Sequence, residues 1–348
     1  MKRKSFTMLA IIMILSVALA ACNSKNEQSS PSSSEPATAS GEQANAAGGN
    51  YTIGISLPAA DHGWMGALIS NTKTEAEKHK NIESIVYTAK DPAKQTSDIE
   101  DLITKKVDAI VMLPIESAAL TPAAEKVAKA GIPLIVIDRA VNSESYRLYI
   151  GGDNYGIGYG DAKYLVEDLI KRNGKAEGKV VEISGVPSSV TDLRSKGFRD
   201  YIKDYPDVQI IASQPGDFTR EKALKAMENI LQANKEIDAV YSQDDDMTVG
   251  IVQAIKDAKR EDEMFIVSSG GMQEIFKMMK EKAKPEVVVS LTYSPTMGGS
   301  AVSLATLILE GKGIQGLWEK SVPHHIVLEA TPVTPDNVDN FLDPDSKY

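Results

Sequence analysis

The chain has 348 residues, a formal charge of −10, one cysteine and four histidines. Its length allows two medium domains with real cores. An acidic chain repels phosphate backbones, which excludes nucleic acid as an expected partner, and a lone thiol rules out an internal disulfide or a multi-cysteine metal site.

Lys2, Arg3 and Lys4 precede an apolar stretch from Phe6 to Leu19, the length of a secretory h-region. Small residues then lead into Cys22 in Leu19-Ala20-Ala21-Cys22. The pattern resembles a bacterial lipoprotein signal; a secretory signal or membrane anchor with a chance cysteine is the alternative. Residues 1–21 are expected to be removed. Lipidation of Cys22 would then anchor the protein to the cell membrane, on its extracytoplasmic side. Removal takes away three cations and no anion, leaving a charge near −13. With its thiol acylated, the chain offers no cysteine nucleophile or thiolate ligand, and four histidines leave little for histidine-based catalysis. Residues 23–50 contain no Leu, Ile, Val, Met or aromatic residue. Such a segment cannot bury enough surface to offset its ordering, so 22–50 reads as a lipidated, disordered tether spanning about 30 Å.

From Tyr51 the pattern alternates. Apolar runs at 51–57, 82–88, 107–113, 132–137 and 147–152 predict strands, and 64–79, 94–105, 117–130 and 156–172 predict helices. The scheme then repeats, with strands expected at 179–184, 208–213, 237–242, 264–269 and 286–292 and helices between them. Apolar strands alternating with helices imply parallel sheets covered on both faces. The fold class is therefore α/β, with two doubly wound lobes. A TIM barrel is the rival architecture, but its eight units leave a remainder here.

In doubly wound lobes ligands bind beyond the carboxyl ends of strands. Polar clusters stand there: Asp138-Arg139, Asp153-Asn154, Gln243-Asp244-Asp245-Asp246 and Ser268-Ser269-Gly270-Gly271. Asp, Asn and Arg suit neighbouring sugar hydroxyls, and Trp or Phe suits the C–H face of a ring. Asp138-Arg139 fits the first task, although an aspartate capping a helix or pairing with its neighbour fits equally. Trp64 and Phe218 are either stacking platforms or core residues. The Asp244–Asp246 run lacks EF-hand spacing, and an N-cap with a second carboxylate facing the cleft is expected in place of a metal site. His324-His325 argue against a metal pair, because neighbours on a strand point to opposite faces. Gly156-x-Gly158-x-Gly160 does not match a dinucleotide fingerprint and is expected to permit close packing at a lobe crossing. No catalytic residue, metal or cofactor is expected.

Taken in order, several motifs resemble the ribose/galactose-type periplasmic binding proteins, the sugar receptors of ABC importers. They are Gly54-Ile55-Ser56 with the Trp64 loop, Ile135-Val136-Ile137-Asp138-Arg139, Gly152-Asp153-Asn154, Arg194-x-x-Gly197-Phe198, Asp217-Phe218-x-Arg220 and Gln243-Asp244-Asp245-Asp246-Met247-x-x-Gly250. The resemblance covers most of 51–330 and implies two lobes joined by a three-segment hinge. It places 51–152 with 294–322 in one lobe and 153–293 with 323–348 in the other. Carried over, it implies a site of His62, Trp64, Met65, Asp138, Arg139, Asn154, Arg194, Phe218, Asp244, Gly270 and Tyr293. Met65 stands where a second aromatic is common, Gly270 where an aspartate often contacts sugar, and Tyr293 where ribose receptors carry glutamine. His62 and Asp244 replace asparagines of ribose receptors, so ribose itself is not implied. The expected function is a monomeric receptor for a monosaccharide or polyol, serving a membrane ABC permease. A sugar sensor presenting ligand to a membrane histidine kinase is the alternative. An extracellular carbohydrate-active enzyme using Asp138 and Asp244 is less well supported: Arg139 favours ionised Asp138, and no carboxyl with a raised pKa is evident. The export signal and the lack of a basic helix-turn-helix argue against the related lac-repressor class.

Overall fold

The structure, a computed structural model, describes residues 50–317, 319–346 and 348. The expected signal at 1–21, the lipidation of Cys22 and all of the tether except Asn50 lie outside the described residues. Among the described residues no helix is long and apolar enough to cross a membrane.

The first half lays down β1 (Tyr51–Pro58), α1 (Gly63–Lys78), β2 (Ile82–Ala89), α2 (Pro92–Thr104), β3 (Ala109–Met112), α3 (Ser117–Lys129), β4 (Leu134–Ile137) and β5 (Leu148–Gly152). Every residue of β3 and β4 is buried, as expected of parallel strands covered on both faces. The helices start where side-chain chemistry allows. Asp91 accepts from the Lys94 N–H at 2.8 Å and Pro92 opens α2.

The second half supplies α4 (Asn154–Asn173), β6 (Gly178–Ser184), α5 (Ser189–Ile202), β7 (Val208–Pro215), α6 (Arg220–Ala233), β8 (Ala239–Ser242), α7 (Asp245–Asp257), β9 (Phe265–Gly270), α8 (Gln273–Lys280) and β10 (Glu286–Thr292). The chain then returns through α9 (Met297–Leu309), β11 (His325–Leu328) and β12 (Pro332–Val333).

Two six-stranded sheets result, ordered β11-β5-β4-β3-β1-β2 and β12-β10-β9-β8-β6-β7. All pairings are parallel except that of β12 with β10. The chain passes between the sheets after β5, after β10 and between β11 and β12. The expected placement of 323–348 in the second lobe needs correction, because β11 pairs with β5 and forms the edge of the first sheet. The third crossing therefore lies after Leu328. In both sheets the first strand sits between two neighbours that run off in opposite directions, β1 between β3 and β2 and β6 between β8 and β7. These are the switch points where crevices open at the carboxyl ends.

Candidate functional site

The carboxyl ends of the two sheets face each other across a cleft, and side chains from both lobes meet there. From the first lobe, the loop before α1 carries His62 and Trp64, and β4 ends in Asp138 and Arg139. From the second come Arg194 and Val190 on α5, Phe218 before α6 and Asp244 at the start of α7, with Tyr293 at the crossing after β10. These nine line one cavity of about 20 Å³, room for about one water molecule. A ring-sized ligand needs the lobes to part or the side chains to turn aside. A groove of about 690 Å³ shares His62 with the cavity and is walled by Asp61 and Gly63 on one lobe and by Arg220, Lys222 and Asp246 on the other. Another groove, of about 710 Å³ beside Tyr164, Lys171 and Met279, contains none of the expected site residues.

The polar groups of the cavity bind one another. Tyr293 donates its phenol to Asp138, and its backbone carbonyl accepts from Trp64 Nε1 at 2.8 Å. Asn154 donates to the Tyr293 oxygen at 3.1 Å and accepts from Arg194 Nε at 2.9 Å. Arg194 also donates to the Gln243 carbonyl and lies over the Tyr293 ring, 4.6 Å from its centroid. Arg139 donates to the Ile115 carbonyl at 2.7 Å and stands 5.6 Å from the Phe218 centroid. Among the described residues its Nε is buried with no hydrogen-bond partner; Asp138 Oδ2 stands 3.7 Å away. A buried, unpaired charged donor is costly, and a ligand hydroxyl would satisfy it.

Backbone strain gathers at the same place. Asp138, Asp217 and Phe218 adopt φ of 63°, 52° and 61°. Left-handed conformations of non-glycine residues cost on the order of 1–3 kcal/mol each and concentrate at ligand sites. Two glycines make room for the aromatic walls. A Cβ on Gly185 would overlap the Phe218 ring, and one on Gly152 would overlap the Tyr293 ring.

The three consecutive aspartates diverge. Asp244 caps α7, accepting from the Asp246 N–H at 2.8 Å, and also faces the cavity. Asp245 turns into the second lobe, accepting from Gly271 N at 2.8 Å, Met272 N at 2.9 Å and Ser290 Oγ at 2.7 Å. Asp246 crosses the cleft to the Trp64 N–H at 3.2 Å and also accepts from Arg220 Nε. The lobes are further joined by Ser189, whose Oγ accepts from Ala140 N at 2.9 Å and whose N–H donates to Ser117 Oγ at 3.0 Å.

Burial drives the Asp244 carboxyl up to about 7, with Asp246 adding to the shift and His62 opposing it. The expectation of no carboxyl with a raised pKa is corrected here; the cause is desolvation, which sequence does not display. Burial works against a charged His62, but Asp61 at 2.5 Å and the charge of Asp244 outweigh it, and the net shift is upward. Burial also pushes the Tyr293 phenol well up, and Asp138 adds to it.

Eight of the eleven expected residues line the cavity, and three do not. Met65 is fully buried in the core; next to Trp64 on a helix, it points about 100° away. Asn154 stands behind the wall and orients Tyr293 and Arg194. Gly270, at φ 153°, has its space filled from elsewhere: the Tyr348 hydroxyl lies 2.8 Å from where its Cβ would be. Val190 and Tyr348 were not anticipated. Val190 follows Ser188-Ser189 at the carboxyl end of β6, where the strand-end rule would have found it. Nothing in the sequence signals Tyr348. The Gly158 prediction also shifts: its close approach is to the Arg194 carbonyl of α5, a crossing of two helices inside the second lobe.

Comparison with known proteins agrees with this architecture. Residues 53–313 match the family described as Periplasmic binding protein domain. The ribose import binding protein RbsB of Bacillus subtilis (strain 168) is 32% identical over 76% of this chain and 84% of its own length. The galactofuranose-binding protein YtfQ of Escherichia coli (strain K12) is 33% identical over 72% of this chain and 79% of its own length. Among solved structures, the fructose-binding periplasmic domain of a hybrid two-component system superposes with a TM-score of 0.75 at 28% identity, covering 84% of this chain and 93% of that one. With two matching sheets, a cleft between them and a family match over most of its length, the chain belongs to the periplasmic binding protein domain family.

Proposed function

We propose that this protein is an extracytoplasmic receptor, held at the membrane by lipidated Cys22, that closes on a monosaccharide or related polyol and delivers it to an ABC importer. One observation carries the reading. The cavity places the Asp138–Arg139 pair and its unpaired Nε among the ring faces of Trp64, Phe218 and Tyr293, and both lobes contribute walls. That is the donor, acceptor and apolar-face set a polyhydroxylated ring requires. His62, Asp244 and Arg194 complete the contacts, and Asn154 fixes the orientation of the wall.

Ligand contacts form on both lobes only when the cleft is shut, so the ligand shifts the population toward the closed form. The closed form then docks on the permease. A thermal-shift panel of D-ribose, D-galactose, D-fructose, myo-inositol, xylitol and glycerol, confirmed by calorimetry, tests the binding. A ligand at 100 times its Kd adds about 2.7 kcal/mol of stability. No response to any monosaccharide or polyol would refute the reading, and a scattering profile unchanged by a saturating ligand would refute closure. Likeness to the periplasmic domain of a two-component system favours a second reading, a sensor that presents its ligand to a membrane kinase. Co-purification with a permease or with a kinase separates the two.

A further inference from the structure

We propose that Glu144, His324 and His325 form a binding site for a borderline divalent metal ion, zinc foremost, at the edge of the first sheet. Strand alternation would set the two histidines on opposite faces. Here, however, His324 lies in a bend one residue before β11, and the two rings come together with centroids 4.6 Å apart. Glu144 reaches them from the loop between β4 and β5, some 180 residues earlier in the chain.

The ligand atoms already converge. Glu144 Oε2 is 3.2 Å from His324 Nε2 and 3.9 Å from His325 Nε2, and all three ligand atoms lie within 4.8 Å of one another. Metal–ligand bonds of 2.0–2.1 Å in a tetrahedron require ligand–ligand edges of about 3.3–3.4 Å. Small side-chain rotations close the gap. Tyr146 supplies a fourth oxygen nearby, 2.7 Å from His325 Nε2 and 3.1 Å from Glu144 Oε2.

The surroundings orient these donors. His324 Nδ1 is 3.2 Å from the Arg147 carbonyl, an acceptor that places the ring proton on Nδ1. Nε2 then faces the Glu144 carboxylate at 3.2 Å, a gap that either a proton or a metal ion can bridge. A backbone carbonyl behind a ligating imidazole is the usual outer partner of such a ligand. Arg147 in turn donates to the Val322 carbonyl at 2.8 Å and holds the bend that presents both histidines. Tyr146 stacks on His324 at 4.9 Å and limits its rotation. The ligands are exposed, so an ion can enter from solvent. Two imidazoles and a carboxylate suit zinc, and the same donors accept nickel or copper. Bound metal would clip the β4–β5 loop, which begins with Asp138 and Arg139, to the strand that leads into the third crossing.

Calorimetric titration of the untagged protein with zinc chloride, and cobalt(II) titration followed by visible absorption, test the site. One ion per chain is expected, with cobalt giving the intense bands of a tetrahedral site. His324→Ala and His325→Ala should each weaken binding at least tenfold, and Glu144→Gln should weaken it measurably. His79→Ala, on the helix α1 flank, should leave it unchanged. The exposed positions should leave metal-free melting temperatures near that of the wild type, which shows that the variants fold. Absence of a zinc heat at 0.1 mM, or binding that survives both histidine substitutions, would overturn the proposal.

Discussion

Arg139→Ala is the sharpest test of the cavity. One amino group of Arg139 is spent on the Ile115 carbonyl, at 2.7 Å, and Nε is buried without a hydrogen-bond partner among the described residues. A guanidinium has five N–H groups, so donors remain for a ligand. Hydrogen bonds from a charged donor contribute about 1.5–3 kcal/mol each. Losing two of them costs about 3–6 kcal/mol, and at 1.4 kcal/mol per decade the Kd should rise on the order of 10²–10⁴-fold. Arg139→Lys keeps the charge but not the planar fork and should fall between. The assay is calorimetry with whichever panel member the wild type binds, alongside the melting temperature of each ligand-free variant. If Arg139→Ala folds and binds within threefold of the wild type, the arginine is only a brace for the Ile115 carbonyl and the site assignment fails.

Four further substitutions probe the frame that holds the cavity. Gly158→Ala puts a methyl group onto the Arg194 carbonyl and should lower stability by about 1–3 kcal/mol, with weaker ligand binding as Arg194 shifts. Gly66→Ala, in α1 with nothing within 4 Å, should instead stabilise by about 0.5–1 kcal/mol in the same denaturant titration. Glu182 is buried; desolvation opposes its charge, but Arg199, Ser195 and Ser213 overcome it and hold its pKa low. Its contribution is therefore present above the unfolded value of about 4.3 and lost as pH falls through the depressed one. Glu182→Gln should cost about 2 kcal/mol at pH 7, reduced from the fully buried figure because Arg199 is partly exposed, and the gap to wild type should narrow in acid. Parallel stability curves from pH 3 to 7 would contradict that account. Tyr348→Phe removes a buried hydroxyl that has no hydrogen-bond partner among the described residues and should raise stability by about 1 kcal/mol; a loss of similar size would mean that the hydroxyl is satisfied.

The strands and helices were legible because parallel strands buried on both faces must be apolar runs, and VDAIVML and IPLIVID announce themselves. The cleft was legible for a related reason: Asp138-Arg139 and Gln243-Asp244 stand where such runs stop. What sequence could not supply was partnership. His325–Leu328 is four residues at an edge, and nothing in its own pattern says which sheet it joins. Met65 entered the expected site through the resemblance, at a position where a second aromatic is common, although helical geometry turns its side chain away from that of Trp64. The raised pKa of Asp244 arises from burial, with the charge of Asp246 adding to it, and burial is not displayed in a sequence. The meeting of Glu144 with His324 required a bend that no periodicity reports.

The late position of β11 also has a consequence for assembly. β6 to β10 occupy one unbroken stretch, from Gly178 to Thr292, whereas the first sheet is unfinished until His325–Leu328 takes its edge and α9 covers a face. Closing so long a loop is slow. The half made first thus waits for both α9 and β11, whereas the second sheet then lacks only the two residues of β12, and for most of synthesis the first half's apolar strands lack part of their cover. Pulse-labelled hydrogen exchange should find β6–β9 protected before β1–β5. A chain ordered this way stays pliable through most of its length, which suits passage across a membrane before folding.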